Sequence, residues 1–562
     1  MRLMIILFLP ILYYGCNTSD QTVIDTIFYN AEIYTASDNS TATAIAITND
    51  TIAAIGLDED ILALSSSTTN QIDVKGQFMM PGFIDSHGHF LGLGQSVLNL
   101  NFIKDTSWQA IVKKVEEKVK TTEPGEWIYG RGWHQEKWSI QPDSYHDGYP
   151  IHHELSQISP ENPVLLVHAS GHSLYANQKA MDISGVNIET ADPSGGKIIK
   201  KNKLPIGVFE ENAMLNIAQS YNKYRAELDQ TKVTAEWYAA IRAAQKECLQ
   251  KGVTSFQDAG SSFSDIEKYE DLALKDSLDI RLWAMLRHSS EEMDGKLKGV
   301  KKVGVGHNHF TCRALKTEVD GALGAHGAWL LAPYDDKANF IGQNTTDIAE
   351  VQRIAQMADE HDMQLCVHAI GDRANKEVLD IIASYHDASS NKRWRVEHAQ
   401  HLNPTDIQRF AETGAIASMQ TIHCTSDAPF VVKRLGVLRA KIGAYAWKAL
   451  LQAGVTIING TDTPVEDVDP LENFYAAVTR TRQDNGMQFF VENKMSREEA
   501  LKSYTLDAAY GAFEEDIKGS LETGKLADIV ILDHNLLTCG DMEILDTKVV
   551  MTMVGGEVKY QK

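Results

Sequence analysis

The sequence has only six cysteines among its 562 residues, and they are scattered without the spacing of a disulfide framework. It also has no long run of lysine and arginine. Its 76 acidic residues outnumber its 53 basic residues, which gives a formal net charge of −23 at pH 7. Proteins that bind nucleic acids need many basic side chains to neutralise the phosphates. The excess of acidic residues therefore predicts no nucleic-acid partner.

The remaining composition is that of an ordinary folded protein. Apolar residues make up 43% of the chain, charged residues 23%, and the mean hydropathy is −0.25. These values exclude a disordered, collagenous or polytopic membrane chain. The 19 histidines point to a site built on imidazole groups.

The N-terminus reads MRLMIILFLPILYYGC, an apolar run that is too short to be a permanent membrane helix. We expect residues 1–15 to be a signal peptide and Cys16 to be lipidated, because Gly15-Cys16 resembles the end of a bacterial lipobox. Tyr14 departs from the small residue usual there, and an uncleaved or differently cleaved anchor is the alternative. Either reading predicts an exported protein of the bacterial cell envelope whose contact with the membrane is this anchor.

Both ends of the chain carry short β-rich runs punctuated by Asn and Asp, at 24–33, 44–55, 72–78, 527–532 and 549–560. They predict one small β-sandwich made of residues 22–80 and 511–562. Between them, short apolar runs alternate with amphipathic stretches such as 234–251 and 346–361, as in repeated βα units. We therefore predict an α/β protein with a (β/α)8 barrel over 81–510, interrupted after its first strand by an insertion at about 93–230.

Two His-x-His pairs are present, and their context separates them. His87 and His89 close an apolar run, whereas His307 and His309 precede one. Catalytic groups of such barrels lie at the C-terminal ends of the strands. The first pair is therefore the candidate for metal binding.

Other residues able to bind a metal also close short apolar or mixed runs: Lys316, Asp320, His368, His398 and Asp462. Such a set suits one or two divalent ions, with Zn²⁺ preferred, which would supply a metal-bound hydroxide. Asp462 is the candidate to accept the proton of the water. Because an ammonium has no lone pair, Lys316 would have to be a carbamate to serve as a ligand; the alternative is a surface or ion-pairing lysine.

With these residues in view, the chain resembles the amidohydrolase superfamily, and within it the YtcJ-like and N-substituted formamide deformylase-like group of amidohydrolase family 3. The motifs that carry the resemblance are PGFIDSHGH (81–89), GVTSFQDA (252–259), DGALG (320–324), HAIGDRA (368–374), EHAQ (397–400), QTIH (420–423), GTDTPVE (460–466) and GSLETGKLAD (519–528).

The resemblance implies a metal-dependent barrel beside a β-sandwich, with ligands at five strand ends. They are His87 and His89 on strand one, Lys316 on strand four, His368 on strand five, His398 on strand six and Asp462 on strand eight. It also implies that His172, in a segment with Asn177, faces the substrate and that His423 binds the substrate or its oxyanion. One departure is His326, which stands where many relatives have arginine.

Together these features predict a metal-dependent hydrolase of non-peptide C–N bonds in a small molecule, of amide or N-formyl type. A lactone or ester hydrolase and a non-catalytic ligand-binding lipoprotein are the alternatives, since a fold does not choose the reaction. The sequence leaves the oligomeric state open.

Overall fold

The computed structural model describes residues 23–37, 41–135, 138–140, 142 and 144–562. The predicted signal peptide (1–15) and Cys16 lie outside the described residues. Within these ranges, no helix has both the length and the apolar character needed to cross a membrane. The five cysteines in the described ranges are all free thiols.

The chain begins with short strands whose β-branched residues are buried, such as Ile45, Ile47 and Ile52. The elements of this part are β1 (Thr26–Tyr29), β2 (Glu32–Ile33), β3 (Ala44–Thr48), β4 (Thr51–Gly56), α1 (Asp58–Leu62), β5 (Asn70–Asp73) and β6 (Phe78–Pro81). Strands β4-β3-β1-β5 form one sheet, while β2 and β6 belong to a second sheet that the C-terminus completes.

The first barrel strand is β7 (Phe83–Gly88), and α2 (Phe90–Leu98) follows it directly. An insertion then leaves the barrel. Its elements are β8 (Leu100–Asn101), α3 (Trp108–Val119), β9 (Ile128–Trp133), β10 (Tyr145–His146), β11 (Tyr149–Pro150), α4 (His153–Ile158), β12 (Val164–His168), β13 (Ser173–Ala176), α5 (Gln178–Ile183), β14 (Gly196–Lys201), β15 (Leu204–Glu211) and α6 (Leu215–Glu227). Strands β14-β15-β13-β12-β9-β8 form a mixed sheet over a separate apolar core that includes Trp108, Trp133 and Tyr175.

The barrel resumes with strands and helices in alternation. Its elements are α7 (Gln230–Gln250), β16 (Val253–Ser261), α8 (Phe263–Leu274), β17 (Arg281–Leu286), α9 (Ser290–Met293), β18 (Lys302–Gly304), α10 (Val305–Asn308), β19 (Phe310–Glu318), α11 (Ile348–Glu360), β20 (Gln364–Ala369), α12 (Asp372–Tyr385), β21 (Arg395–His398), α13 (Pro404–Thr413), β22 (Ile416–Met419), α14 (Thr421–Gly443), α15 (Trp447–Gln452), β23 (Ile457–Asn459), α16 (Pro470–Thr479), α17 (Arg497–Ser503) and α18 (Leu506–Gly511).

In the described chain, eight strands pair in parallel in the order β7-β16-β17-β19-β20-β21-β22-β23. The ring is nearly closed where Asp462, just beyond β23, donates its backbone N–H to the carbonyl of His87 at 2.7 Å. Most residues of these strands are buried on both faces, as parallel strands covered by helices require.

The C-terminus returns to the sandwich with β24 (Ile529–Leu532), α19 (Asp541–Asp546), β25 (Val549–Val554) and β26 (Glu557–Gln561). The second sheet has the order β2-β6-β24-β25-β26, so both chain ends contribute to it. The predicted α/β fold, with its barrel, its sandwich from both ends and its insertion after strand one, is confirmed.

The sandwich is tied to the N-terminal ends of the barrel strands. Arg281, at the start of β17, donates to both carboxylate oxygens of Asp528 at 2.7 and 2.9 Å, and it also reaches the carbonyl of His307 at 3.0 Å. His307 and His309 therefore lie at this end, immediately before β19. The opposite end of the barrel is left for the insertion to cover.

Candidate metal centre

A cavity of about 440 Å³ lies at the C-terminal ends of the barrel strands. The barrel and the insertion both line it, and the insertion contributes Arg131, His134, His168, His172 and Glu211. All six predicted metal ligands also line this cavity: His87, His89, Lys316, His368, His398 and Asp462. The structure thus brings together residues that are up to 375 positions apart.

His87 is buried at the end of β7, and a carboxylate from another strand holds its ring. Its Nδ1 lies 2.5 Å from Oε2 of Glu397, and Glu397 is in turn paired with Arg395 at 2.7 Å. Since Nδ1 is engaged, Nε2 is the nitrogen directed at Asp462, 3.6 Å from its Oδ1. Bonding through one ring nitrogen while the other faces a metal is the usual arrangement of a ligating histidine.

His398 ends β21 and is held in the same manner. Its Nδ1 lies 2.7 Å from Oε1 of Gln420. Potential ligand atoms of His87, His398 and Asp462 all lie within 4.8 Å of one another, close enough to share one ion.

His368, on β20, adds a further imidazole whose ring centre is 4.5 Å from that of His398. Its buried Nε2 finds no hydrogen-bond partner among the described residues, and neither does Nε2 of His423. Buried polar nitrogens are rarely left unpaired, and a cation would satisfy them. These two atoms indicate that the residues present fit a metal ion.

His89 and Asp462 complete the cluster. Nε2 of His89 lies 3.2 Å from Oδ1 of Asp462, which sits just beyond β23 with a positive φ of 57°. Burial opposes ionisation of Asp462. The hydrogen bond from His89 and the charges of His398 and His87 nevertheless hold the pKa of this carboxyl well below its usual range.

Lys316 is buried in β19, and its Nζ donates to the carbonyl of Thr317 at 3.3 Å. Burial, and then the positive charge of Arg287, lower the pKa of this amine to about 8. A buried amine with a lowered pKa is more readily neutral than an ordinary lysine.

Asp320 plays a different part, although it was considered with the other strand-end residues. Its carboxylate accepts backbone N–H bonds from Trp329, Ile370 and Gly371 at 2.7 to 2.9 Å. It thus holds together the loops that follow β19 and β20.

The two residues expected to face the substrate both line the cavity. Nδ1 of His172 lies 3.0 Å from Oε2 of Glu211, and its ring centre is 6.0 Å from that of His368. Burial opposes the charge of His172, but the Glu211 carboxylate raises the pKa of this imidazole to about 9. His423, in the first turn of α14, has Nδ1 2.9 Å from Nε2 of Gln400 and Nε2 3.8 Å from Oδ2 of Asp462.

One neighbouring expectation needs correction. Asn177 does not line the cavity: its side chain is buried, accepts from the backbone N–H of Ala180 and Val164, and caps α5. The ring of His326 is directed away to Asp336, at 3.1 Å. Guanidinium groups are still present in the cavity wall, because Arg131 and Arg287 line it.

Sequence reasoning assigned no role to the residues that orient these imidazoles: Glu397, Gln400, Gln420 and Glu211. The first three lie inside motifs quoted above, but no local pattern indicates which ring each one meets. A carboxylate next to a predicted ligand, as Glu397 is next to His398, is the signal that could have identified one of them.

The chain matches a known protein family over most of its length. The sequence profile of the amidohydrolase family matches residues 71–560. The chain belongs to the amidohydrolase family. It is 30% identical to the protein LONG AFTER FAR-RED 3 of Arabidopsis thaliana, over 96% of this chain and 92% of that protein.

Two bacterial relatives agree with the group expected from the motifs. YtcJ of Bacillus subtilis (strain 168) is 30% identical, over 88% of this chain and 92% of its own length. The N-substituted formamide deformylase of Arthrobacter pascens is 25% identical, over 96% of this chain and 98% of that protein. Among solved structures, an uncharacterized metal-dependent hydrolase from Pyrococcus furiosus superposes with a TM-score of 0.71 at 27% identity, covering 91% of this chain and 100% of that one. This amidohydrolase is an enzyme of the hydrolase class.

Proposed function

We propose that this amidohydrolase is a metal-dependent hydrolase of non-peptide C–N bonds, acting on small amides or N-formyl compounds. The observation that carries the proposal is the convergence of His87, His398 and Asp462 within 4.8 Å, beside the unpaired Nε2 atoms of His368 and His423. The family match and the similarity to a formamide deformylase support the C–N bond as the target.

The residues that would hold one or two divalent ions, preferably Zn²⁺, are His87, His89, His368, His398, Asp462 and a carbamate on Lys316. Nitrogen and oxygen donors in this combination suit Zn²⁺. When bound, such an ion lowers the pKa of water and polarises a carbonyl.

The protein side chains have separate tasks in the proposed reaction. Asp462, surrounded by imidazoles, takes the proton of the attacking water and passes it to the leaving nitrogen. His423 and His172 contact the substrate, His423 beside Asp462 and His172 beside His368. The insertion forms part of the cavity wall, so its side chains can contact a substrate held beside the barrel residues.

The test is a substrate screen with the purified full-length protein, before and after removal of its metal. N-formyl amines, other non-peptide amides, lactones and esters are compared, and the bound metal is measured by elemental analysis. We expect turnover of an amide or N-formyl compound that disappears on metal removal and returns with Zn²⁺. Turnover of lactones or esters alone would replace the proposal with the ester-hydrolase alternative, and a protein that binds no metal would favour the non-catalytic one.

We also propose the cellular location expected from the sequence, a lipid anchor on Cys16 in the bacterial envelope. Residues 1–16 support it by their sequence alone. Cys16→Ala should move the protein from the membrane fraction to the soluble exported fraction. Membrane association that is unchanged in the variant, together with a wild-type protein free of acyl groups by mass spectrometry, would contradict the anchor.

A further inference from the structure

His172 and Glu211 are joined through both backbone and side chain. His172 directly precedes β13 and Glu211 ends β15, two antiparallel strands of the insertion in which Ser173 pairs with Glu210. The N–H of Glu211 donates to the carbonyl of His172 at 2.9 Å, and the Glu211 carboxylate meets Nδ1 of the same residue at 3.0 Å. Nδ1 of His172 is therefore fixed by Glu211, and the His172 ring lines the cavity that holds the candidate metal ligands.

Glu211 holds this position in an unfavourable backbone conformation. Its φ is 50° and its ψ is −129°, a region that strongly favours glycine. Such a conformation costs a side-chain-bearing residue free energy and persists only where its surroundings enforce it, often at functional sites. Here it directs the carboxylate at His172.

The barrel leaves room for this carboxylate at two glycines. A Cβ atom on Gly321 or Gly327, in the loop after β19, would come within 2.7 or 2.5 Å of Oε1 of Glu211. That loop begins at Asp320. The Asp320 carboxylate also accepts backbone N–H bonds from the loop after β20, the strand that carries His368. Glu211 thus lies where the insertion meets the barrel, between a substrate-facing histidine and a loop next to the metal ligands.

We propose that Glu211 is a positioning residue for the hydrolysis reaction: it keeps Nδ1 of His172 protonated as the donor to its own carboxylate, and so orients the ring with Nε2 toward the scissile group of the substrate. This inference rests on the proposed function. A carboxylate can only accept a hydrogen bond, so Nδ1 must donate to it. A flip of the ring would break this hydrogen bond, so Nε2 is the ring nitrogen left for the substrate. The carboxylate of a catalytic triad orients a histidine by the same physical principle.

The first measurement needs no substrate. The metal-loaded full-length protein is labelled with ¹⁵N-histidine, and the His172 signals are assigned by their loss in His172→Ala. We expect Nδ1 of His172 to be protonated in the wild type and to lose its proton in Glu211→Gln, because a glutamine amide can also donate to Nδ1. Asp533→Asn is the matched control, since Asp533 lies 2.8 Å from Nδ1 of His534 on the exposed sandwich. It should leave the His172 signals unchanged.

The second measurement is a double-mutant cycle with the substrate that the wild type turns over. Glu211→Gln should lower kcat about 10–100-fold, by analogy with the loss of carboxylates that orient metal-binding histidines, with a much smaller change in KM. Asp533→Asn should leave both constants unchanged. In the His172→Ala background, Glu211→Gln should have no further effect, because the two residues act through one contact.

The outcomes separate the two proposals. The positioning role is wrong if Glu211→Gln keeps the proton on Nδ1. It is also wrong if the fall in kcat caused by Glu211→Gln multiplies with the fall caused by His172→Ala, and in both cases Glu211 acts only on the structure. If the wild type hydrolyses no C–N bond in the screen, the proposed function is wrong, and the NMR result still decides whether Glu211 sets the state of His172.

Discussion

Glu397 and His87 are 310 positions apart in the sequence, yet the Glu397 carboxylate lies 2.5 Å from Nδ1 of His87. Both side chains are fully buried, and Glu397 also faces the Arg395 guanidinium at 2.7 Å. The pair fixes which nitrogen of His87 is directed at the cavity. Burial opposes the charge of Glu397, but Arg395 and His87 hold the pKa of this carboxyl far below its usual range, so that it stays an acceptor.

This relationship predicts that Glu397→Gln will weaken metal binding while leaving every ligand in place. The expected loss of affinity is about 10–100-fold, as for other carboxylates that orient metal-binding histidines. Titration of the metal-stripped protein with Zn²⁺ measures it. The matched control is Glu515→Gln, which breaks a bidentate pair with Arg393 at 2.7 and 2.9 Å but touches no histidine. Equal affinities for the two variants would contradict the prediction.

A second prediction tests the sorting of the two His-x-His pairs. His87→Ala and His368→Ala should lose most of the bound metal, because both imidazoles lie in the cavity. His307→Ala should bind metal normally, since His307 lies at the opposite end of the barrel beside Arg281. Elemental analysis of the three purified variants gives the result, and similar losses in all of them would show that the metal is not held at the C-terminal ends of the strands.

The sequence was informative where function depends on position along a strand. Candidate metal ligands that close apolar runs could be recognised as a group, because the C-terminal ends of barrel strands converge on one site. The sandwich could be predicted from β-rich runs near residues 24–78 and 527–560, because the composition and residue alternation of a strand can be read from a few consecutive residues.

What the sequence did not show depends on contacts between distant strands. Glu397 next to His398 orients a different histidine, His87, and no local pattern reports this. The wrong expectation for Asn177 arose because asparagine serves equally well as a helix cap, which is its role here. The six-stranded sheet of the insertion also went unrecognised, because two of its strands, β8 and β13, have only two and four residues.

A third prediction concerns proton transfer by Asp462. Asp462→Asn keeps the size of the side chain but removes the basic oxygen, so kcat on the substrate identified by the screen should fall by several orders of magnitude while the melting temperature barely moves. Metal content is measured in parallel, because Asp462 is also a proposed ligand. Asp467→Asn, in the same loop and paired with Lys104 at 2.8 Å, is the control. Retained turnover in Asp462→Asn would assign the base elsewhere.

The last prediction is that Lys316 is carboxylated in the active enzyme. Its amine is buried near His87, His368 and His398. Burial lowers the pKa of all three imidazoles, and the positive charge of Lys316 lowers it further. A cation in the middle of a metal site opposes binding of the ion. A neutral amine can instead add CO₂, forming an N–C bond and releasing one proton, and the resulting carbamate offers two oxygens as ligands. Metal binding and carboxylation should therefore support each other.

Two measurements test this coupling. Metal-stripped enzyme should regain activity faster with Zn²⁺ and bicarbonate than with Zn²⁺ in CO₂-free buffer. With ¹³C-bicarbonate, the metal-loaded protein should show a carbamate signal that Lys316→Ala abolishes. Lys518→Ala should keep the signal, because Lys518 is equally buried but is neutralised by an ion pair with Glu514 at 2.6 Å. A fully active, metal-loaded enzyme with no carbamate signal and no response to bicarbonate would leave Lys316 an ordinary amine, and the ion would then be held by the histidines and Asp462 alone.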